Sequence, residues 1–492
     1  MMKSSLCKYL LMSGVALSSL IGASSLARAQ DDNVPVLPAA ANLPSPWIIG
    51  GQVQGQYIFE DNRDLGTLSE IPADSFMLDG RLRVTYKPSD TFMGYFEGSG
   101  VNTWGSASGE DETGAVRPSG DYLELRQAFV KFSELFGIIP LDLQIGRQRI
   151  REDYALWWNR DVDAVRLNYN STLFTGFFAV SEDLASYRSS DSHLDENLDD
   201  RLRVMFEASQ MISQGHKLQF RALYEDDHSD TGTIGGKIDA NDTDSEDQQV
   251  FWGGVRSVGV CDLSTASSLF GALNYRVDAI VAAGEEDMIT SAPTADPDVR
   301  TVTAVNNRDV LGWAFDAGAD VSVKAPLDPR FIFGYAYGSG DDGSGTDTAF
   351  RQSDLNANSS RLGVSDSGIN NYGEALRPEL SNLHVFTAGV GFPLLNASDL
   401  SFLYRYYRLA NEETGLRSSR VRASVTGTDS DVGQGIDVVM NMDLNKEIPL
   451  LYTAPVDTKL RVSLGGFEAG DAYGTAEGEQ MARALVQLRV KF

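Results

Sequence analysis

The stretch GRQRIRED, Gly146 to Asp153, sets arginines at 147, 149 and 151. On a β-strand alternate residues share a face, so three guanidinium groups line up about 7 Å apart. Such a row repels itself unless an anion sits beside it. Its chemistry is recognition, because the planar guanidinium fork takes sulfate, phosphate or carboxylate through paired, charge-assisted hydrogen bonds. Covalent chemistry has far weaker support. The chain has four histidines, His193, His216, His228 and His384, and three of them fall in loops or turns. His384 follows ELSNL and reads as structural. No Ser-His-Asp arrangement can be traced, and no cysteine pair or histidine pair has metal-ligand spacing. The DDHSD run reads as a solvated acidic loop rather than a calcium site. Catalytic residues, metals and cofactors are therefore expected to be none.

The elements that must carry these arginines begin after an export signal. Lys3 and Lys8, an apolar run, and Ala27-Arg28-Ala29 form a secretory signal peptide over residues 1–29. Cleavage removes three cations and no acid, so the net charge moves from −28 to −31. It leaves Cys261, to which the sequence gives no chemical role. No run of about 20 apolar residues follows, so no transmembrane helix is expected.

Instead, about ten residues of alternating character recur from end to end, each followed by a turn or an acidic loop. In RALVQLRVKF, Val486, Leu488, Val490 and Phe492 face one way while Gln487, Arg489 and Lys491 face the other. A soluble sandwich and a membrane barrel share that alternation. Loop asymmetry separates them. Short turns (86–90, 168–172, 210–217 and 393–398) alternate with long polar loops (102–120, 184–200, 226–248, 284–309, 338–376 and 410–432), as in outer-membrane barrels. The fold class predicted is all-β, a transmembrane antiparallel barrel of about 18 strands in the outer membrane of a Gram-negative bacterium. The strands fall near 52–60, 76–87, 91–101, 121–133, 141–150, 162–170, 173–182, 201–209, 217–225, 249–259, 268–282, 310–323, 330–337, 380–392, 399–409, 433–442, 458–467 and 482–492. Residues 30–50 form a periplasmic N-terminal segment and 51–492 the barrel. Trp47, Trp157, Trp158, Tyr404, Tyr406 and Tyr407 are expected at the interfacial girdles. A barrel this wide leaves a channel.

Acids concentrate in the loops, nine of them in EDDHSDTGTIGGKIDANDTDSEDQQ, and arginines in the strands. Many strand arginines lack a carboxylate at cross-face spacing in sequence. A cationic lumen concentrates anions and passes them.

Five short motifs then resemble one family. EDNRDLG (60–66), GRQRIRED (146–153), YGEALRPELSNL (372–383), GDAYG (470–474) and the terminal strand occur in the order and at about the spacing of the alginate-export porins. The resemblance implies an 18-stranded conduit that passes an acidic polysaccharide through an arginine-rich constriction gated by mobile loops or turns. It implies a lining of Arg126, Arg149, Arg377, Arg461 and Arg483, with Arg81 or Arg83 from the second strand. Arg147 belongs to the row already described. Asp161 and Asp163 match acidic or polar positions on the opposite side of the conduit. Departures are Gln54 in place of a lysine, Gln127 and Gln487 in place of acids, and Ser463 in place of a cation. The turn 441–457 resembles a gating turn, and we expect it to plug or gate. The partners implied are an anionic polysaccharide, outer-membrane lipid, and periplasmic biosynthesis and secretion proteins, with no nucleic acid and a monomeric barrel. The competing reading is an anion-selective diffusion porin for uptake of small acidic solutes. A structural barrel or adhesin would have a plugged lumen.

One conflict remains within GRQRIRED. Leu141, Leu143 and Ile145 are lipid-facing and share odd parity with the three arginines. A regular strand would aim those charges at lipid, at a cost of several kcal/mol each near the midplane. A bulge at Gly146 is expected to exchange the faces, leaving Gln148 and Ile150 outside.

Overall fold

A computed structural model describes the chain from residue 46 onward, apart from 68–71, 112, 195–199, 229–232, 240–245, 295, 297–298, 344, 362–367 and 427–428. The expected signal peptide and most of the 30–50 segment lie outside the described residues. The rest forms a closed antiparallel barrel of 18 strands. In chain order they are β1 (Trp47–Asp61), β2 (Ala73–Ser89), β3 (Phe92–Gly105), β4 (Tyr122–Phe132), β5 (Leu141–Arg151) and β6 (Asn159–Asn170). Next come β7 (Phe174–Ser181), β8 (Arg201–Ser213), β9 (His216–Asp227), β10 (Glu246–Asp262), β11 (Phe270–Pro293) and β12 (Val299–Val323). The last are β13 (Arg330–Gly338), β14 (Leu383–Pro393), β15 (Ser398–Leu409), β16 (Asp431–Asp443), β17 (Asp457–Ala469) and β18 (Gln480–Lys491). Closure runs from Gln52↔Lys491 to Asp61↔Ala482, between β1 and β18. The barrel begins at Trp47, inside the segment expected to precede it.

Alternation does what it must in lipid. Leu82, Phe96, Leu123, Val165, Leu311 and Ile436 are exposed on the outside, while the opposite phase of each strand carries polar groups inward. The strands pair in sequence around the ring, and closure through β1 and β18 leaves no open edge. Every expected strand is present, but loop 284–309 is not a loop. β11 and β12 are 24 and 25 residues long and continue as a paired hairpin through that region. Its polar composition removes the lipid signal without removing the ladder.

The interior is packed over part of its depth. Inward-facing Ala164, Ala179, Ala282, Ala314 and Ala336 leave room for chain from the long loops. Phe350, Leu355, Tyr372, Leu376, Leu380, Val421 and Tyr473 join Trp157 and Trp158 there in one apolar cluster. Three aromatics expected at the girdles are thus interior: Trp157, Trp158 and Tyr407 are at most 3% exposed, whereas Trp47 and Tyr404 do face outward. An aromatic at a strand end can serve either place, and sequence does not mark which.

The turn between β16 and β17 contains a short helix, α1 (Leu444–Glu447). The Glu447 carboxylate accepts hydrogen bonds from Ala397 N at 2.7 Å and Ser398 Oγ at 2.8 Å, which docks the turn on its neighbour at the rim. Leu450 and Tyr452 are exposed. This turn was expected to plug or gate; it does not plug the lumen, which residues of the long connecting segments fill instead.

GRQRIRED does change phase. Ile145 and its partner Val165 face lipid, yet Arg147 and Arg149 meet Asp163 and Asp161 inside. Gly146 has φ +120°, a conformation that glycine adopts freely, and a Cβ there would strike the Ala128 carbonyl. The expected bulge is not in this strand: β5 and β6 stay in register through Gly146↔Ala164. The extra residue is Arg126 on β4, lying between Gln127↔Glu97 and Leu125↔Gly98. Beyond Ala128↔Arg147, β4 leaves β5 and pairs with Tyr187–Ser189, through Leu125 N to Tyr187 O at 3.0 Å and Ser189 N to Leu123 O at 2.8 Å. The outer half of the β5–β6 hairpin thus has its back covered. Gln148 and Ile150, expected to face lipid, are buried at 0% and 1%. Gly146→Val should destabilise the barrel by about 1–3 kcal/mol, the range for a residue forced into an unfavourable backbone region. The denaturant midpoint of unfolding from detergent should fall, while Gly80→Ala, at a position with open space around it, should leave it unchanged.

Candidate functional site

The segment between β3 and β4 folds inward as an arm, with two-residue strands Gly109–Glu110 and Val116–Arg117 paired to each other. Of its three consecutive acids, Glu110 and Asp111 reach two groups of arginines. The Glu110 carboxylate bonds Arg377 at 2.6 Å and Arg461 at 3.3 Å, and also pairs with Arg483. Asp111 Oδ2 lies 3.0 Å from both Arg126 and Arg149. Five expected lining residues, drawn from β4, β5, β17, β18 and the 371–382 segment, therefore converge on one short piece of chain.

A second loop acid completes the first group. Glu374 pairs with Arg377 at 2.9 Å, Arg461 at 3.0 Å and Arg483 at 3.4 Å. Arg483 also reaches Glu60 on β1 at 3.1 Å. Arg377 sits at φ +45°, immediately before Pro378, so its backbone is held in a sparsely populated region where its guanidinium meets both acids. The sequence had marked neither Glu110, Asp111 nor Glu374 as a site residue. Glu374 does lie inside the YGEALRPELSNL motif, and the acids of 102–120 could have been matched to the strand cations by charge.

The second group is built by register. Arg147 faces Asp163 and Arg149 faces Asp161 across β5 and β6. Asp161 and Asp163 were expected across the conduit; they are the arginines' own neighbours. Asp161 Oδ2 lies 3.2 Å from Arg126 and 3.4 Å from Arg149. Arg149 also donates to Thr113 Oγ1 at 2.9 Å and Asn159 Oδ1 at 3.1 Å. Asp163 accepts from Leu184 N at 3.1 Å and Tyr187 O–H at 2.7 Å, and Arg147 lies over the Tyr187 ring at 3.9 Å. These two residues therefore pin the segment that covers the hairpin. Arg81 and Arg83 both face inward, on Asp79 at 2.7 Å and Glu97 at 2.7 Å respectively.

Counter-charges come in two kinds. Arg203, Arg221, Arg276 and Arg405 are paired with Glu225, Glu207, Asp316 and Asp437, all on neighbouring strands. The expectation that many strand arginines lack a carboxylate is corrected here, because strand curvature and register supply partners that linear spacing hides. Arg126, Arg149, Arg377, Arg461 and Arg483 differ in that a carboxylate of the arm, Glu110 or Asp111, is among their partners.

Burial pushes the Glu110 carboxyl up, and the guanidinium groups of Arg377, Arg483 and Arg461 outweigh it, holding it down to about 2. Glu374 is lowered likewise against its own burial, by Arg461, Arg377 and Arg483. A depressed acid contributes stability above its ordinary value, near 4.3, and loses it as the pH falls through the bound value. Hydrogen-exchange protection factors of residues 105–120, corrected for the intrinsic rate, should thus be equal at pH 7 and pH 5 and fall progressively from about pH 4 towards pH 2.

The alginate export family model matches residues 45–487. The alginate production protein AlgE of Pseudomonas aeruginosa is 27% identical over 379 residues, covering 76% of each chain. That of Pseudomonas syringae pv. tomato is 26% identical, covering 92% of this chain and 96% of its own. Among solved structures, Acinetobacter baumannii OccAB4 superposes with a TM-score of 0.55 at 11% identity, covering 92% and 100% of the chains. The outer membrane protein OprD of Pseudomonas aeruginosa gives 0.52 at 11%, covering 92% and 96%. These two share the fold of an outer-membrane porin. With the family model spanning nearly the whole barrel, the chain is a member of the alginate export family and resides in the outer membrane.

Proposed function

We propose that this protein is a non-enzymatic exit channel for an anionic exopolysaccharide, alginate or an alginate-like polyuronate. The observation that carries the reading is the seating of Glu110 and Asp111 on five arginines. Adjacent carboxylates on one extended chain are what a polyuronate presents, with one per sugar. The arm therefore occupies guanidinium sites that a polymer could take in turn. Arginines paired to neighbouring strands keep those partners throughout, whereas withdrawal of the arm strips counter-charge from the five arginines that Glu110 and Asp111 touch. The curated relatives, named for alginate production, support the substrate class.

Transport needs no bond to break. Each carboxylate binds a guanidinium strongly enough to enter and weakly enough to leave, and several sites in series keep the barrier low. An uptake porin for small acidic solutes would use the same arginines, but the two-site engagement of the arm favours a ligand with repeated carboxylates. Closure of the barrel within one chain supports a monomeric conduit, supplied from the periplasm by the biosynthesis and secretion proteins.

Replacing residues 106–120 by a glycine-serine linker should raise conductance in planar bilayers several-fold and make the channel anion-selective. In that background Arg149→Gln with Arg461→Gln should bring the reversal potential close to that of a nonselective pore. An unchanged reversal potential would remove these arginines from the path. In cells, deletion of the gene should trap acidic polysaccharide in the periplasm; loss of growth on a small anionic nutrient, with secretion intact, would favour the uptake porin.

A further inference from the structure

The arm is held by more than charge. Gln54 Nε2 donates to the Glu110 carbonyl at 2.8 Å. Gln56 Nε2 donates to the same oxygen at 3.1 Å, while its Oε1 accepts from Glu110 N at 3.1 Å. Gln487 Nε2 approaches that carbonyl from β18 at 3.4 Å. The three side chains are 0%, 1% and 5% exposed. Both backbone groups of Glu110 are satisfied by side-chain amides of the barrel wall, since a side-chain amide presents an uncharged donor and acceptor side by side. Two of these positions, 54 and 487, are where charged residues had been expected from the resemblance.

Charge and amide contacts answer to different conditions. The Debye length falls from about 10 Å in 0.1 M salt to about 3 Å in 1 M, so high salt stabilises the arginines and acids once withdrawal of the arm exposes them, shifts the balance towards the open state, and leaves neutral hydrogen bonds nearly untouched. A competing polyanion contests the arginines but not the glutamines. We propose that Gln54, Gln56 and Gln487 form an uncharged latch that grips the backbone of Glu110 and sets the arm's tip in register on both arginine groups. They are positioning residues; they hold the arm at one residue through contacts that a polyanion does not contest directly, and so raise the concentration of polymer needed to displace it. The latch rests on the reading of the arm as the element that closes the channel.

The test is open probability in planar bilayers, with the full barrel, across about 0.1–1 M potassium chloride. The unaltered channel should stay mostly closed throughout. Gln54→Ala with Gln56→Ala should close normally in low salt, and its open fraction should rise at least several-fold in high salt. Glu110→Gln keeps the latch and should show residual closure that salt does not change. If the double variant does not refold, Gln56→Glu removes the amide donor at constant size and should give the same salt response. A salt response identical to that of the unaltered channel in either variant overturns the latch. Failure of the 106–120 linker variant to raise conductance would instead sink the reading beneath it, whatever the glutamine variants do.

Discussion

Burying a carboxylate among three guanidiniums is tolerable only if all of them are present. Glu110 is fully buried, and so, nearly, are Arg377, Arg461 and Arg483 around it. Any one of these charges left alone at that depth would cost several kcal/mol, far more than an exposed pair returns. The placement of the arm, the strained backbone at Arg377 and the inward turn of the neighbouring segments all satisfy this one requirement. An 18-stranded barrel supplies the space, and a cluster of opposite charges decides what fills it.

The same requirement explains why the wall departs from regularity beside the site. Arg126 occupies a bulge, Gly146 takes a left-handed backbone, and the β5–β6 hairpin leaves β4 while Tyr187–Ser189 takes its place. The first two bring Arg126, Arg147 and Arg149 to the interior, and the third covers the back of the hairpin that carries the last two. Glycine at 146 and a single extra residue at 126 are sufficient, because exchange of faces needs only one step along a strand. The result is a cationic surface that a lipid-facing phase could never hold.

Much of this was legible before any coordinates. Alternation located every strand, since a lipid-facing side and a polar lumen impose the same two-residue period on each. The lining arginines were named by resemblance to the family's constriction, position by position; the strand phase alone pointed only to a cationic lumen. Their partners could not be named. Asp161 and Asp163 are set beside Arg149 and Arg147 by cross-strand register, which a linear reading cannot fix. Glu110 and Asp111 looked like solvated loop acids, because nothing local distinguishes a loop that folds into the lumen from one that stays in water. Trp157 and Trp158 were misplaced for the same reason: depth within a barrel is a tertiary property. Even the glutamines at 54 and 487, read as thinning of charge, gain their meaning only from the backbone they touch.

The central claim is that the arm and the polymer compete for the same arginines. Its most direct measurement is a distance by pulsed electron resonance between spin labels on the arm, at Val116, and on the outer hairpin, at Asn306, in lipid with and without polyuronate. The account predicts one short, narrow distance without polymer, and a longer, broader one when polymer is added in excess. A distance that stays fixed while polymer demonstrably passes through the channel would contradict it.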